Sequence, residues 1–220
     1  MRGGQDGAEL TMTGQEAPEG APAASNTGSQ EYRVALLGDK PLRLLGRLPQ
    51  PGELLAPRPF SVPPARNARS PLTTASLRAG LVLVSTLPNI GRHACAAQIL
   101  DFEEQSMRRL DAFRMIHVST DEARFWSEVD HFHPALGAEG YSLFDADEAS
   151  VAAFGLSFGV AVEGHGRIAH GLFALVDGVF VGAEIPFQQL AVPDVGGFLD
   201  RVERLLLRRP AMTVLEERRP

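Results

Sequence analysis

The sequence predicts one α/β domain in which helices flank a mixed central sheet, with a β-hairpin at its N-terminal end. The elements follow the order strand, helix, strand, helix, hairpin, helix, which is typical of a sheet with helices packed on it. Residues 80–87 form a continuous apolar run, as expected for a strand covered on both faces. With 220 residues, of which 44% are hydrophobic, the chain is long enough to bury one ordinary core.

Composition marks the limits of this domain. Residues 1–30 are rich in Gly, Ala, Pro, Gln, Ser and acidic side chains, so we expect a disordered tail there. Residues 31–208 carry the periodic apolar patterns and are predicted to form the folded domain. Residues 209–220 are predicted to be a polar C-terminal tail.

Charge and cysteine content argue against several classes of protein. A net charge of −6 and a sequence pI near 5.5 argue against a nucleic-acid partner, which needs a surplus of Lys and Arg on one face. No apolar run is long enough for a bilayer, and the N-terminal residues lack the apolar stretch of a secretory signal, so we expect no membrane partner and a cytoplasmic location. The single cysteine excludes an intramolecular disulfide.

The first half of the domain is predicted from turn and strand signals. Residues 32–37 and 42–45 fit two short strands joined by a turn at Gly38-Asp39. A Pro-rich connection over 48–71 leaves few backbone donors, so any strand within it is expected to be short or at a sheet edge.

The second half is predicted from hydrophobic periodicity. The 3.6-residue period predicts helices, the apolar runs predict strands, and Asp177-Gly178 is a strong hairpin turn. The predicted elements are a helix over 93–110, a strand over 113–118, helices over 124–129 and 147–155, a hairpin of 171–176 with 179–182, and a helix over 194–207.

Cys95 is the main candidate for chemistry, because it falls in the first turn of a helix that follows a buried strand. Unpaired backbone N–H groups and the positive end of the helix dipole favour a thiolate there, and Arg92 adds to this if it turns inward. A thiolate attacks peroxide oxygen and becomes a sulfenic acid. From position alone, a free cysteine is more often a small buried hydrophobe than a nucleophile.

The residues around Cys95 match a known signature. Pro88 and Cys95 stand at the first and last positions of the pattern Pro-x-x-x-Thr-x-x-Cys, and two alanines follow Cys95. Further landmarks follow in order along the chain: Leu37-Gly38-Asp39-Lys40-Pro41-Leu42, Leu48-Pro49-Gln50-Pro51-Gly52, Val118-Ser119-Thr120-Asp121, Arg124-Phe125, Val176-Asp177, Glu184-Ile185 and Val192-Pro193-Asp194. Over about residues 32–207 the chain resembles the thiol peroxidase subfamily of the peroxiredoxins.

This resemblance implies a thioredoxin-like fold and a hydroperoxide substrate. Cys95 would be the peroxidatic cysteine, and Pro88 and Arg92 would line the substrate site. Since the chain has no second cysteine, an external thiol or a thioredoxin-like protein would be the reductant. The resemblance also implies a homodimer, and it implies no cofactor.

Three positions depart from the family pattern. The signature threonine is Arg92, the expected resolving cysteine is Trp126, and the position of the family's strand arginine falls at Gly171. His170 is adjacent to Gly171, but the alternation of a strand predicts that it points to the opposite face.

Two interpretations of these departures remain open. In the first, Arg92 supplies the lost positive charge and donates hydrogen bonds to a peroxide, so that a one-cysteine peroxidase persists. In the second, the fold serves as a binding or redox-regulatory module, and Trp126 fills the place of the resolving sulfur.

A metal site is not predicted. His131 and His133 lie beside Asp130, but no further ligand is clustered with them, so this segment is interpreted as a polar loop.

Overall fold

The computed structural model describes residues 32–132 and 137–208, with the exception of the Phe132 side chain. The predicted tails, 1–30 and 209–220, lie outside the described residues, as does His133. No helix within the described ranges has the length and apolar character needed to cross a membrane.

The elements alternate between strands and helices along the described chain. The strands are β1 (Tyr32–Leu37), β2 (Lys40–Leu45), β3 (Ser61–Val62), β4 (Pro64–Arg66), β5 (Leu72–Thr73), β6 (Leu81–Leu87), β7 (Arg114–Ser119), β8 (Glu139–Ser142), β9 (Ala161–Val162), β10 (Arg167–Ile168), β11 (Gly171–Val176) and β12 (Val179–Glu184). The α-helices are α1 (His93–Arg109), α2 (Trp126–Phe132), α3 (Glu148–Phe158) and α4 (Val195–Arg208), and 3-10 turns lie at Ala75–Leu77 and Ala123–Phe125.

The central sheet is mixed, which confirms the predicted fold class. Its strand order is β12-β11-β6-β7-β8-β4, in which β6, β7 and β8 run parallel and the outer strands pair antiparallel. The N-terminal hairpin β1-β2 extends through β9 and β10 into a separate four-stranded sheet. The Pro-rich segment contributes only the short strands β3 and β4, of which β4 lies at the edge of the central sheet, as predicted.

The central sheet is buried on both faces because its side chains alternate between two cores. Val82 and Val84 of β6 pack on one face with Phe158 of α3 and with the N-terminal hairpin. Leu83 packs on the other face with Phe102 of α1 and with α4. This explains why 80–87 is a continuous apolar run rather than an alternating one.

Two helices differ from their predicted bounds. The helix predicted over 147–155 continues to Phe158 and ends at Gly159, whose φ of +65° is the left-handed conformation that terminates helices. The segment that includes His131 was predicted to be a polar loop, and this was wrong, because α2 continues through it to Phe132.

Candidate active site around Cys95

Cys95 lies at the start of α1, as the sequence predicted. Arg92 is the N-cap residue, with extended backbone angles of φ −95° and ψ 143°, and the helix begins at His93. Cys95 is the third helical residue and is fully buried.

The loop that leads into α1 is anchored by hydrogen bonds from neighbouring segments. The carbonyl of Pro88 accepts from Thr120 Oγ1 at 2.8 Å and from Arg167 Nη1 at 3.2 Å. The backbone N–H of Ile90 donates to Asp121 Oδ2 at 2.5 Å. These contacts fix the position of the helix start, and therefore of Cys95, relative to the sheet.

A polar side chain in contact with the sulfur is that of His170, which was predicted to point to the opposite face. Its Nε2 lies 3.5 Å from Cys95 Sγ, and the imidazole is only 2% exposed. Leu172, two residues later on β11, also packs on the face that α1 covers. Successive side chains do alternate between the two faces of the sheet, but His170 points towards Cys95 and Gly171 points away from it.

Gly171 faces the opposite side of the sheet. A Cβ atom built there would lie 2.7 Å from the ring of Phe173 and 3.0 Å from Thr86 Oγ1. An arginine at this position would therefore displace the core instead of reaching the sulfur.

His170 is held on both its ring and its backbone. Its Nδ1 lies 2.6 Å from Gln98 Oε1, and its backbone N–H donates to Gln189 Oε1 at 2.7 Å. Gln98 Nε2 donates to Ser85 Oγ at 2.7 Å, and it also approaches the carbonyl oxygens of Thr86 and Gly171. A buried chain of hydrogen bonds thus runs from the central sheet through Gln98 and His170 to the sulfur.

The sequence predicted a lowered pKa for Cys95, and the structure gives the opposite direction. Burial raises the pKa of the Cys95 thiol to about 12, and the charge of Asp121 adds to the rise. A hydrogen bond from the backbone of Asn89 and the charge of Arg92 lower the pKa, but they do not outweigh burial. A helix dipole contributes up to about 2 kcal/mol even in a partly buried geometry, about 1.5 pKa units, whereas full burial shifts a pKa by up to about 3–5 units.

His170 is held in its neutral form for the same reason. Burial, with a smaller contribution from the nearby charge of Arg92, lowers the pKa of His170 to about 4. At neutral pH the pair therefore consists of a neutral thiol and a neutral imidazole.

A cavity of about 170 Å³ leads from the protein surface towards this pair. Pro88 and Arg92, the predicted substrate-binding residues, both line it, together with Ala94 and His170. Apolar residues of β2, β9 and β10 form much of the remaining wall. Binding of a substrate by Pro88 and Arg92 stays a prediction.

Solved structures identify the fold. A peroxiredoxin-like protein from Aquifex aeolicus matches 79% of this chain and 97% of its own, with a TM-score of 0.63 and 16% identity. The chain has the peroxiredoxin fold. A thiol peroxidase from Chromobacterium violaceum also matches 79% of this chain and 95% of its own, with a TM-score of 0.63 and 16% identity.

A third structure with this fold is the peroxidoxin BcpB from Mycobacterium tuberculosis. It matches 74% of this chain and 99% of its own, with a TM-score of 0.54 and 16% identity. No protein-family model and no curated protein matches the sequence.

Trp126 stands at the position where the sequence comparison expected a second sulfur in the peroxiredoxin fold. It is 1% exposed and belongs to a buried apolar cluster with Cys95, Leu87, Ile90 and Ile99. The indole, at the start of α2, therefore packs in the same apolar cluster as Cys95 and Ile99 of α1.

Gln98 was not predicted as a site residue, and His170 was predicted to point away from Cys95. Gln98 carried a usable signal, because it follows Cys95 by three residues and so shares its face of α1. No local sequence signal placed His170, because the choice of which β11 side chains face α1 depends on how the strand joins the sheet.

The neutral state of His170 predicts a pH-dependent loss of stability. The unfolded chain takes up the proton near pH 6.5, whereas folded His170 resists it until about pH 4. The free energy of unfolding should therefore fall as the pH drops through this window, by up to about 3 kcal/mol from His170 alone. Urea unfolding at a series of pH values measures this loss.

The variant His170→Asn separates this contribution from that of His117, whose pKa burial also lowers. The variant should lose about 3 kcal/mol less than the wild type between about pH 7 and pH 4. Equal losses in the two proteins would contradict a folded-state pKa that lies far below its ordinary value.

Proposed function

We propose that this chain is a thiol peroxidase that reduces hydroperoxides through Cys95, with an external thiol as the reductant. The observation that carries the proposal is the position of the thiol: it lies in the first turn of α1 within a peroxiredoxin fold, 3.5 Å from His170, which lines a cavity. A reducing compartment such as the cytoplasm would supply the thiol.

The reaction begins with attack of Cys95 Sγ on the terminal oxygen of a hydroperoxide. The S–O bond forms as the O–O bond breaks, so that sulfur is oxidised by two electrons and the peroxide is reduced by two. The thiol proton passes to the departing oxygen, which leaves as an alcohol or as water. The product on the enzyme is a sulfenic acid.

Regeneration requires a second molecule, because the sequence contains no other cysteine. A small-molecule thiol or a thioredoxin-like protein attacks the sulfenic acid, releasing water and forming a mixed disulfide. A second thiol then reduces this disulfide and returns Cys95 to its thiol form. The proposed cycle is therefore a one-cysteine mechanism.

Arg92 is proposed as the residue that contacts the peroxide. It lines the cavity, and its charge lowers the pKa of Cys95. A guanidinium donates hydrogen bonds in a planar fork, which suits the two oxygens of a peroxide. The Arg92 side chain would in this way supply the hydrogen bond to the peroxide that the resemblance assigns to the signature threonine.

A homodimer is proposed as the assembly. Phe187, Leu190 and Val192 are exposed large apolar side chains on the segment between β12 and α4, and Leu190 also lines the cavity. A second copy of the chain would remove this surface from water. Sedimentation velocity distinguishes this assembly from a monomer.

A second function is favoured by the burial of Cys95. The sulfur has no exposed surface, and burial raises its pKa to about 12. These properties suit a peroxiredoxin-fold protein that has become a binding or redox-regulatory module.

Exposure to a hydroperoxide separates the two functions. We expect Cys95 to form a sulfenic acid that a sulfenate-specific probe labels once per chain, as read by intact-mass analysis. Cys95→Ser should remain unlabelled. A wild-type protein that stays unlabelled under excess peroxide would remove the peroxidase proposal and leave the regulatory one.

The role of Arg92 is tested by replacing its charge. Arg92→Ala should slow sulfenic acid formation roughly 1.4- to fivefold, the effect of a partly screened charge worth about 0.2–1 kcal/mol. Arg92→Lys keeps the charge, so its rate should lie closer to that of the wild type. Arg204→Ala, at an exposed position of α4, is the matched control and should keep the wild-type rate. If all three variants form sulfenic acid at the wild-type rate, Arg92 has no part in the reaction.

A further inference from the structure

The amide of Gln98 determines which nitrogen of His170 carries the proton. Gln98 Nε2 lies within hydrogen-bond distance of two backbone carbonyl oxygens, those of Thr86 and Gly171, and these only accept. The NH₂ group must therefore face them, which turns Oε1 towards His170 Nδ1 at 2.6 Å. Because an amide oxygen also only accepts, Nδ1 carries the hydrogen.

This tautomer leaves the other nitrogen without a proton. His170 Nε2 then has a free lone pair, and it lies 3.5 Å from Cys95 Sγ. The thiol is neutral, so its hydrogen is available to that lone pair. The geometry is that of a nucleophile, a base and a group that orients the base.

We propose that His170 is the general base for Cys95 and that Gln98 is the positioning residue that holds it in the required tautomer. The proposal deepens the peroxidase function proposed above and rests on it for the peroxide reaction. Because the buried thiol is not ionised at rest, His170 would generate the nucleophile by accepting the thiol proton.

The proton balance of the peroxide step then closes within the site. As Sγ attacks, its proton moves to His170 Nε2, and the imidazolium gives that proton to the departing oxygen as the O–O bond breaks. His170 ends the step in its starting tautomer. No further acid or base is required.

The surrounding charges favour this sequence of protonation states. Arg92 opposes a resting imidazolium on His170, and Asp121 opposes a resting thiolate on Cys95. The charge of Arg92 also lowers the pKa of Cys95, but it does not outweigh burial of the sulfur. His165 and Arg167 line the same cavity. At rest the proton therefore stays on the sulfur and His170 stays neutral.

The pH dependence of Cys95 alkylation by iodoacetamide tests the base without using a peroxide. In the wild type the rate should form a plateau between about pH 5 and pH 8, because neutral His170 accepts the proton throughout this range. A buried thiolate without a base would instead give a rate that rises about tenfold per pH unit over the same range. That rise, or a wild-type protein that is not alkylated, would overturn the proposal.

Two variants localise the effect. His170→Asn should lower the plateau rate by about 10²–10⁴-fold and restore the tenfold rise per pH unit. His93→Asn removes a nearby imidazole whose side chain is exposed, and it should retain the wild-type plateau. A purely structural role for His170 would lower the rate without changing the shape of the profile, and this outcome would overturn the assignment.

The peroxide reaction is measured separately on the same proteins. If the plateau depends on His170 but the wild type forms no sulfenic acid, the base assignment stands and the peroxidase function fails. If sulfenic acid forms at the same rate in the wild type and in His170→Asn, the peroxidase function stands and the assigned role of His170 in it is wrong.

Discussion

The site depends on one amide, that of Gln98. Its NH₂ group is fixed by oxygen atoms of the central sheet, and its carbonyl oxygen fixes the imidazole of His170. Since Gln98 and Cys95 lie on the same face of α1, the packing of this helix on the sheet brings the members of the hydrogen-bond chain together. The chemical state of the sulfur is therefore a consequence of how the core packs.

Burial and the helix terminus act in opposite directions on Cys95. The helix start favours a thiolate, but this effect is worth about 2 kcal/mol at most even in a partly buried geometry, and the sulfur has no contact with solvent. Desolvation therefore dominates and keeps the proton on sulfur. A site of this kind needs a base beside the thiol, and His170 occupies that position.

Much of the fold followed from the sequence because its signals are local. The run at 80–87, the turn at Asp177-Gly178 and the 3.6-residue period after His93 each depend on a few neighbouring residues. The face of His170 and the burial of Cys95 depend instead on how β11 joins β6 and on what covers α1. Short strands such as β9 and β10, of two residues each, have too few positions to show a period.

The protonation state of the His170 ring tests the central claim most directly. Nitrogen-15 NMR of the imidazole distinguishes a protonated from an unprotonated ring nitrogen. At neutral pH the account predicts a proton on Nδ1 and none on Nε2, and the same state should persist after Cys95→Ser. A proton on Nε2, or on both nitrogens, would contradict it, because the ring could not then accept a proton from the thiol.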